Sequence, residues 1–171
     1  MSPAPAVRRL YTSVTLTCLA AILAACAPAA DPRSPSMDLA TAKQSTRNQQ
    51  QELMAVVPAA EIATTTQTET SRALFECDAN SYYWPGTMDL VLTPEADGAG
   101  LLQQIKAAWS GKEGWTVEEK TSVNGIPELV IVSREGFRHS VEFNPQRNAL
   151  YTLSSSACFQ MEGKPDPGVD Y

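Results

Sequence analysis

The chain has 171 residues, with 13 Lys+Arg against 19 Asp+Glu and a single His, for a formal net charge of −6. A chain of this length holds one ordinary hydrophobic core. It carries no basic excess to neutralise phosphates, so nucleic acid is excluded as a partner.

The first segment sets the context for the rest. Arg8 and Arg9 precede an apolar stretch from Val14 to Ala24 that is 11 residues long. A membrane-spanning helix needs about 20 apolar residues, and Pro28 disfavours continuation of a helix. A charged start, an apolar middle and a small-residue end make residues 1–25 a secretory signal peptide. Leu23-Ala24-Ala25-Cys26 resembles the lipobox of bacterial lipoproteins. That resemblance implies that Cys26 is lipidated and becomes the mature N-terminus; a plain signal peptide and a retained anchor are the competing readings. Cleavage leaves 146 residues and removes Arg8 and Arg9, so 11 Lys+Arg face 19 Asp+Glu and the mature charge is −8. Such a charge disfavours adhesion to anionic lipid, so membrane contact is expected through the lipid on Cys26.

Residues 26–36 (CAPAADPRSPS) hold three prolines and read as a tether. Met37 to Val57 contains neither Gly nor Pro and is expected to be a helix, with Ser36 as a cap and Asp38 in the first turn. Pro58 ends it. Its apolar residues crowd at the ends and Lys43 to Glu52 is polar, so docking mainly by the C-terminal half is expected. The Thr-rich stretch 61–77 predicts one long strand or two short ones. Met88 to Thr93 predicts another. Leu101, Leu102, Ile105, Ala108 and Trp109 share one helix face, with Gly111 as the stop.

The second half is rich in turn signals. Trp115 to Val123 and Ile126 to Ser133 flank Asn124-Gly125, a strong hairpin signal. Glu135-Gly136 turns the chain into a strand where Phe137, His139, Val141 and Phe143 alternate with polar residues. Asn144 to Asn148 turns again into Ala149–Ser156. Four strands joined by short turns make an antiparallel meander, which two helices would cover on one face. The expected fold is α+β: one domain over 37–160, followed by a flexible acidic tail at 161–171.

Of the four cysteines, Cys18 leaves with the signal and Cys26 takes the lipid. Cys77 and Cys158 remain, and an exported domain meets an oxidising compartment, so they are expected to pair. Two buried free thiols are the alternative. Two Cys and one His without close spacing make a metal site remote. No cofactor is expected.

Catalytic signatures are weak. His139 shares a strand face with Phe137, Val141 and Phe143, the setting of a packed residue. No G-x-S-x-G is present. Glu118 and Glu119 are adjacent on a strand, so they point to opposite faces and cannot act as a dyad. Gly98-Ala-Gly100 lacks the third glycine and the lysine of a phosphate cradle. Tyr82, Tyr83 and Trp84, before an expected Pro85-Gly86 turn, form the candidate binding surface; loop packing beside the Cys77–Cys158 bridge is the competing reading.

Several short stretches resemble a group of small, uncharacterised actinobacterial lipoproteins. They are LAAC at 23–26, the Gln-rich helix ending at Val56-Val57-Pro58, the Leu-Phe strand before Cys77, aromatic-Trp-Pro-Gly at 83–86, Gly-Trp-Thr-Val at 114–117, and Ser156-Ala-Cys-Phe159. The resemblance implies an envelope location and a paired Cys77/Cys158, and transfers no activity. The expected function is thus a monomeric, lipid-anchored, non-enzymatic interaction or accessory domain at the outer face of the cytoplasmic membrane, acting on an envelope protein partner. The alternative is a small-ligand-binding lipoprotein, which requires a ligand-sized apolar pocket near Tyr82 to Trp84. A hydrolase is a remote third, and a fully buried His139 would count against it.

Overall fold

The computed structural model describes residues 37–78 and 80–171. The expected signal peptide at 1–25, the expected lipidation site Cys26, the expected tether to residue 36 and the expected Ser36 cap lie outside the described residues.

Helix α1 spans Leu39–Met54 and α2 spans Gly98–Trp109. Nine strands follow in chain order: β1 (Ile62–Gln67), β2 (Phe75–Asp78), β3 (Ser81–Tyr83), β4 (Pro85–Leu92), β5 (Trp115–Thr121), β6 (Pro127–Ser133), β7 (Arg138–Asn144), β8 (Ala149–Ser155) and β9 (Phe159–Gln160). The main sheet has the order β1-β4-β8-β7-β6-β5, a small sheet has the order β2-β3-β9, and every pairing is antiparallel. The expected meander is β5 to β8. It is extended by β4 and β1, and the two helices cover one face. This is an α+β fold with one disulfide, Cys77–Cys158.

Turn chemistry accounts for the meander. Asn124 keeps a negative φ, and only Gly125 takes a positive one, +77°. The β5–β6 hairpin therefore carries a single left-handed residue, at the end of a three-residue loop, rather than the paired left-handed residues of a type I′ turn. Ser122 closes it, accepting from Gly125 N–H and donating its own N–H to Ile126. Asn144 Oδ1 accepts from the N–H groups of Gln146 and Arg147 before β8.

Several expectations need correction. Asp38, not the first turn's interior, is the N-cap of α1: its carboxylate accepts from Thr41 N–H at 2.7 Å. The helix also docks along its whole length. Ala42, Thr46, Gln50, Leu53 and Met54 are buried, at steps of four and three. Thr46 satisfies its hydroxyl on Ala42 C=O at 2.8 Å, and Gln50 finds partners in the sheet, so a polar stripe can face inward. Pro85-Gly86 is not a turn but the start of β4. Proline is tolerated there because the pairing of β4 with β1 begins only at Met88. Gly86 is required by what lies over it: a Cβ would fall inside the indole of Trp84. The tail also returns to the domain. Ser71 and Tyr171 exchange both backbone hydrogen bonds at 2.8 Å, and Trp84 Nε1 donates to Tyr171 C=O at 3.2 Å.

The two sheets are one bent ribbon. Pro85 pairs with Ser155, Ser156 N–H donates to Trp84 C=O while Trp84 N–H donates to Ser156 Oγ, and Tyr82 then pairs with Phe159. The second strand carries one residue more than the first through this corner, a bulge that turns the ribbon. Cys158 lies in it. Cys77 lies in the matching irregularity of β2, between the pairs Glu76–Tyr82 and Asp78–Ser81. The larger core packs Leu53, Leu101, Ile105, Trp109, Ile131 and Leu150 between helices and main sheet. The smaller one sets Ala42 against Tyr82, Trp84 and Phe159.

Candidate functional site

Alternation along β3 into β4 divides the candidate aromatics. Tyr82 and Trp84 point to one side and are 3% and 0% exposed, in the smaller core. They are committed to packing and offer no surface. Tyr83 points the other way. It stacks on Phe75 with ring centroids 5.2 Å apart, and the pair forms one wall of a groove of about 530 Å³ on the sheet face away from the helices. The floor comes from cross-strand rows. Pro85, Ser155 and Arg138 form one row across β4, β8 and β7, and Leu153 and Ser140 stand in the next. Phe75 and Leu153 are 48% and 49% exposed here, two of only four large apolar side chains so exposed among the described residues. Arg72 stands at the mouth and lies 3.7 Å from Asp170. Phe75 and Leu153 were not singled out by sequence reasoning. Their signal was present as outward positions on strands with an apolar residue, but it needs the strand partners to be interpretable.

On the opposite face, behind Leu153 and Arg138, lies a chain of hydrogen bonds. His139 Nδ1 and Ser154 Oγ are 2.8 Å apart, and His139 Nε2 is 3.1 Å from Gln49 Oε1. An amide oxygen only accepts, so Nε2 carries the proton and Nδ1 accepts from Ser154 O–H. Gln50 Nε2 then donates to Ser154 Oγ at 3.0 Å. Gln67 Nε2 donates to Gln50 Oε1 and Arg47 C=O, each at 2.9 Å, and Gln51 Nε2 donates to Gln67 Oε1 at 2.8 Å. Every bond runs in one direction, from Gln51 to Gln49, and the imidazole must be neutral to keep it so. His139 is 0% exposed. Burial pushes its pKa down to about 4, because the charged form loses its hydration and gains no carboxylate.

A Ser–His pair at this distance invites comparison with a hydrolase dyad. Ser154 is buried, its oxygen is already held by Gln50, and an amide rather than a carboxylate stands behind the imidazole. The low pKa makes His139 a weak base. His139 is fully buried, the condition that counts against the hydrolase reading. Glu118 and Glu119 do diverge: Glu118 pairs with Lys120 at 2.9 Å and Glu119 with Lys106 at 2.7 Å. Hydrogen bonds to those lysines hold both carboxyls below their usual range. Among the described residues no three His, Cys, Asp or Glu side chains converge on a point that could hold a metal.

Thr152, beside Ser154 on the inward side of β8, has a buried hydroxyl with no partner among the described residues. An unpaired buried hydroxyl costs free energy that an isosteric methyl does not. Thr152→Val is therefore expected to stabilise the fold by about 1 kcal/mol, read as an upward shift of roughly 2–4 °C in Tm. Loss of stability would mean that the hydroxyl holds a water.

No protein-family model matches this sequence, and no curated protein does either. A search of solved structures finds a DUF4853 family protein from Actinomyces odontolyticus at 16% identity and a TM-score of 0.44, over 80% of this chain and 76% of that one. At that score the likeness carries no conclusion about fold or role.

Proposed function

We propose that this chain is an exported binding protein, anchored by lipid on Cys26 at the outer face of the cytoplasmic membrane, which holds a small ligand in the Phe75–Tyr83 groove and does no chemistry on it. The observation that carries this reading is the groove itself. Its volume of about 530 Å³ at Tyr83 falls in the range of ligand sites, roughly 300–1,000 Å³. It therefore favours the ligand-binding alternative over a purely protein-docking accessory domain. The absence of a substrate-accessible nucleophile in the Ser154–His139 network supports a role without catalysis. Among the described residues no helix is long and apolar enough to cross a membrane, and the LAAC motif supplies a lipid for the anchor.

The test has two parts. Cys26→Ala is expected to move the protein from the membrane fraction to the soluble one; unchanged membrane retention would refute the lipid anchor. In cells, benzoylphenylalanine placed at position 75 is expected to trap a low-mass adduct on illumination. The same probe at position 123, on the exposed β5–β6 hairpin tip, is expected to trap none. Equal labelling at both sites, or none at 75, would remove the groove as the working surface.

A further inference from the structure

We infer that the groove takes a free amphiphilic carboxylate, with its apolar body over Phe75, Tyr83 and Leu153 and its carboxylate against Arg138. The inference rests on the binding reading above and names the ligand class for that same groove.

The polarity of the groove runs in one direction. Phe75, Tyr83 and Pro85 form its β4 side, Leu153 stands at the centre, and Arg138 and Ser140 form its β7 side. From Pro85 to Arg138 is two strand spacings, about 10 Å. A ligand spanning that width meets aromatic and aliphatic surface at one end and a guanidinium with a hydroxyl at the other. The charge is out of keeping with the rest of the protein. A chain of net charge −6 lines this groove with two arginines and no Asp or Glu. Arg72 is engaged by Asp170, whereas Arg138 is in no ion pair among the described residues. The carboxylate that senses its charge, Glu118, is itself paired with Lys120. A planar guanidinium matches a carboxylate through two parallel N–H···O bonds, which an alcohol or amine head cannot reproduce.

A small ligand fits better than a peptide strand. At the mouth, the backbone N–H and C=O of Ser71 are both spent on Tyr171, so that segment presents no free strand edge for a peptide to extend. At the centre of the floor, β8 is paired on both sides, with β4 and with β7, and likewise has no backbone groups to give.

The experiment uses the full-length lipidated protein in phosphatidylcholine nanodiscs, with empty discs subtracting partition into lipid. Equilibrium dialysis measures decanoate, decanol and acetate. Decanoate is expected to bind about tenfold or more tightly than decanol, about the value of one good charged contact, and acetate not detectably. Arg138→Gln is expected to abolish the preference for decanoate over decanol, because it weakens decanoate far more than decanol. Leu153→Asp is expected to weaken both. Arg147→Gln, which removes an exposed arginine held by Asp89 outside the groove, is expected to change neither. A preference that survives in Arg138→Gln overturns the assignment, as does the absence of binding above empty discs. If phosphatidylglycerol in the disc displaces decanoate, the headgroup comes from the bilayer and the free-carboxylate proposal falls. Failure of these arms while position 75 still traps an adduct would reject the ligand class and keep the groove; failure of both would reject both.

Discussion

The double variant Cys77→Ala/Cys158→Ala is expected to lose about 4.5 kcal/mol of unfolding free energy. The cysteines are 81 residues apart in sequence, and in the chain-entropy picture the bridge removes that much loop freedom from the unfolded state. Domains of this size are stable by only about 5–15 kcal/mol, so the variant should sit near the edge of folding at 37 °C. The loss should be uneven. All four residues of β2 are exposed, so little besides its pairing with β3 and the Phe75–Tyr83 stack holds it once the bridge is gone. Denaturant titration of the oxidised protein and the double variant measures the total. Amide exchange should show β2 opening before the main sheet, and the groove losing its aromatic wall with it. A loss below about 1 kcal/mol, small against the entropic expectation, would show that the bridge acts only locally.

Acidification should cost the protein about 3 kcal/mol between pH 6.5 and 4, from His139 alone. Folded, its pKa is about 4; unfolded, it returns to about 6.5. Between those values the unfolded chain binds a proton that the folded one refuses, so stability falls as pH falls through this window. It is flat with respect to this group above 6.5 and below 4. The carboxyls held low by hydrogen bonds, such as Asp38, Asp78 and Glu135, act in a lower range. Their contribution is present above their unfolded pKa near 4 and is lost below it. The chain contains one histidine, so the imidazole proton resonances in an NMR titration belong to His139 without ambiguity. A midpoint near 4 is expected; a midpoint near 6.5 would show that water reaches the ring.

Much of this architecture was legible where local chemistry decides it. Glycines and asparagines at 124–125, 136 and 144–148 mark the meander, and the alternation from Phe137 to Phe143 places His139 inward, where the structure has it. The misread segments are those decided across long sequence distances. Gln50 looks solvated on a polar helix and becomes a core residue only because Ser154, 104 residues away, stands opposite. Pro85-Gly86 has turn composition, yet the indole of Trp84 needs the missing Cβ and the strand pairing overrides the local preference. The pattern Tyr82-Tyr83-Trp84 did contain its own answer: on a strand, the first and third share a side, so only the middle one was ever available to a groove.

The one-way chain through His139 and Ser154 also discriminates among wrong structures. His139 and Ser154 are direct cross-strand partners. A one-residue misalignment of β8 on β7 would turn every inward side chain outward, bringing Leu153 or Ser155 beneath Gln50. A two-residue misalignment would keep the faces and set His139 against Thr152 or Ser156, whose hydroxyls can stand in for that of Ser154, so the network opposes it less than a slip that brings in Leu153. Each buried group so stranded costs about 1–3 kcal/mol. The net gain of the network to the correct fold is modest, because water would satisfy the same groups in the unfolded chain. Its larger effect is to raise the free energy of misassembled sheets in a domain whose disulfide must close between cysteines 81 residues apart.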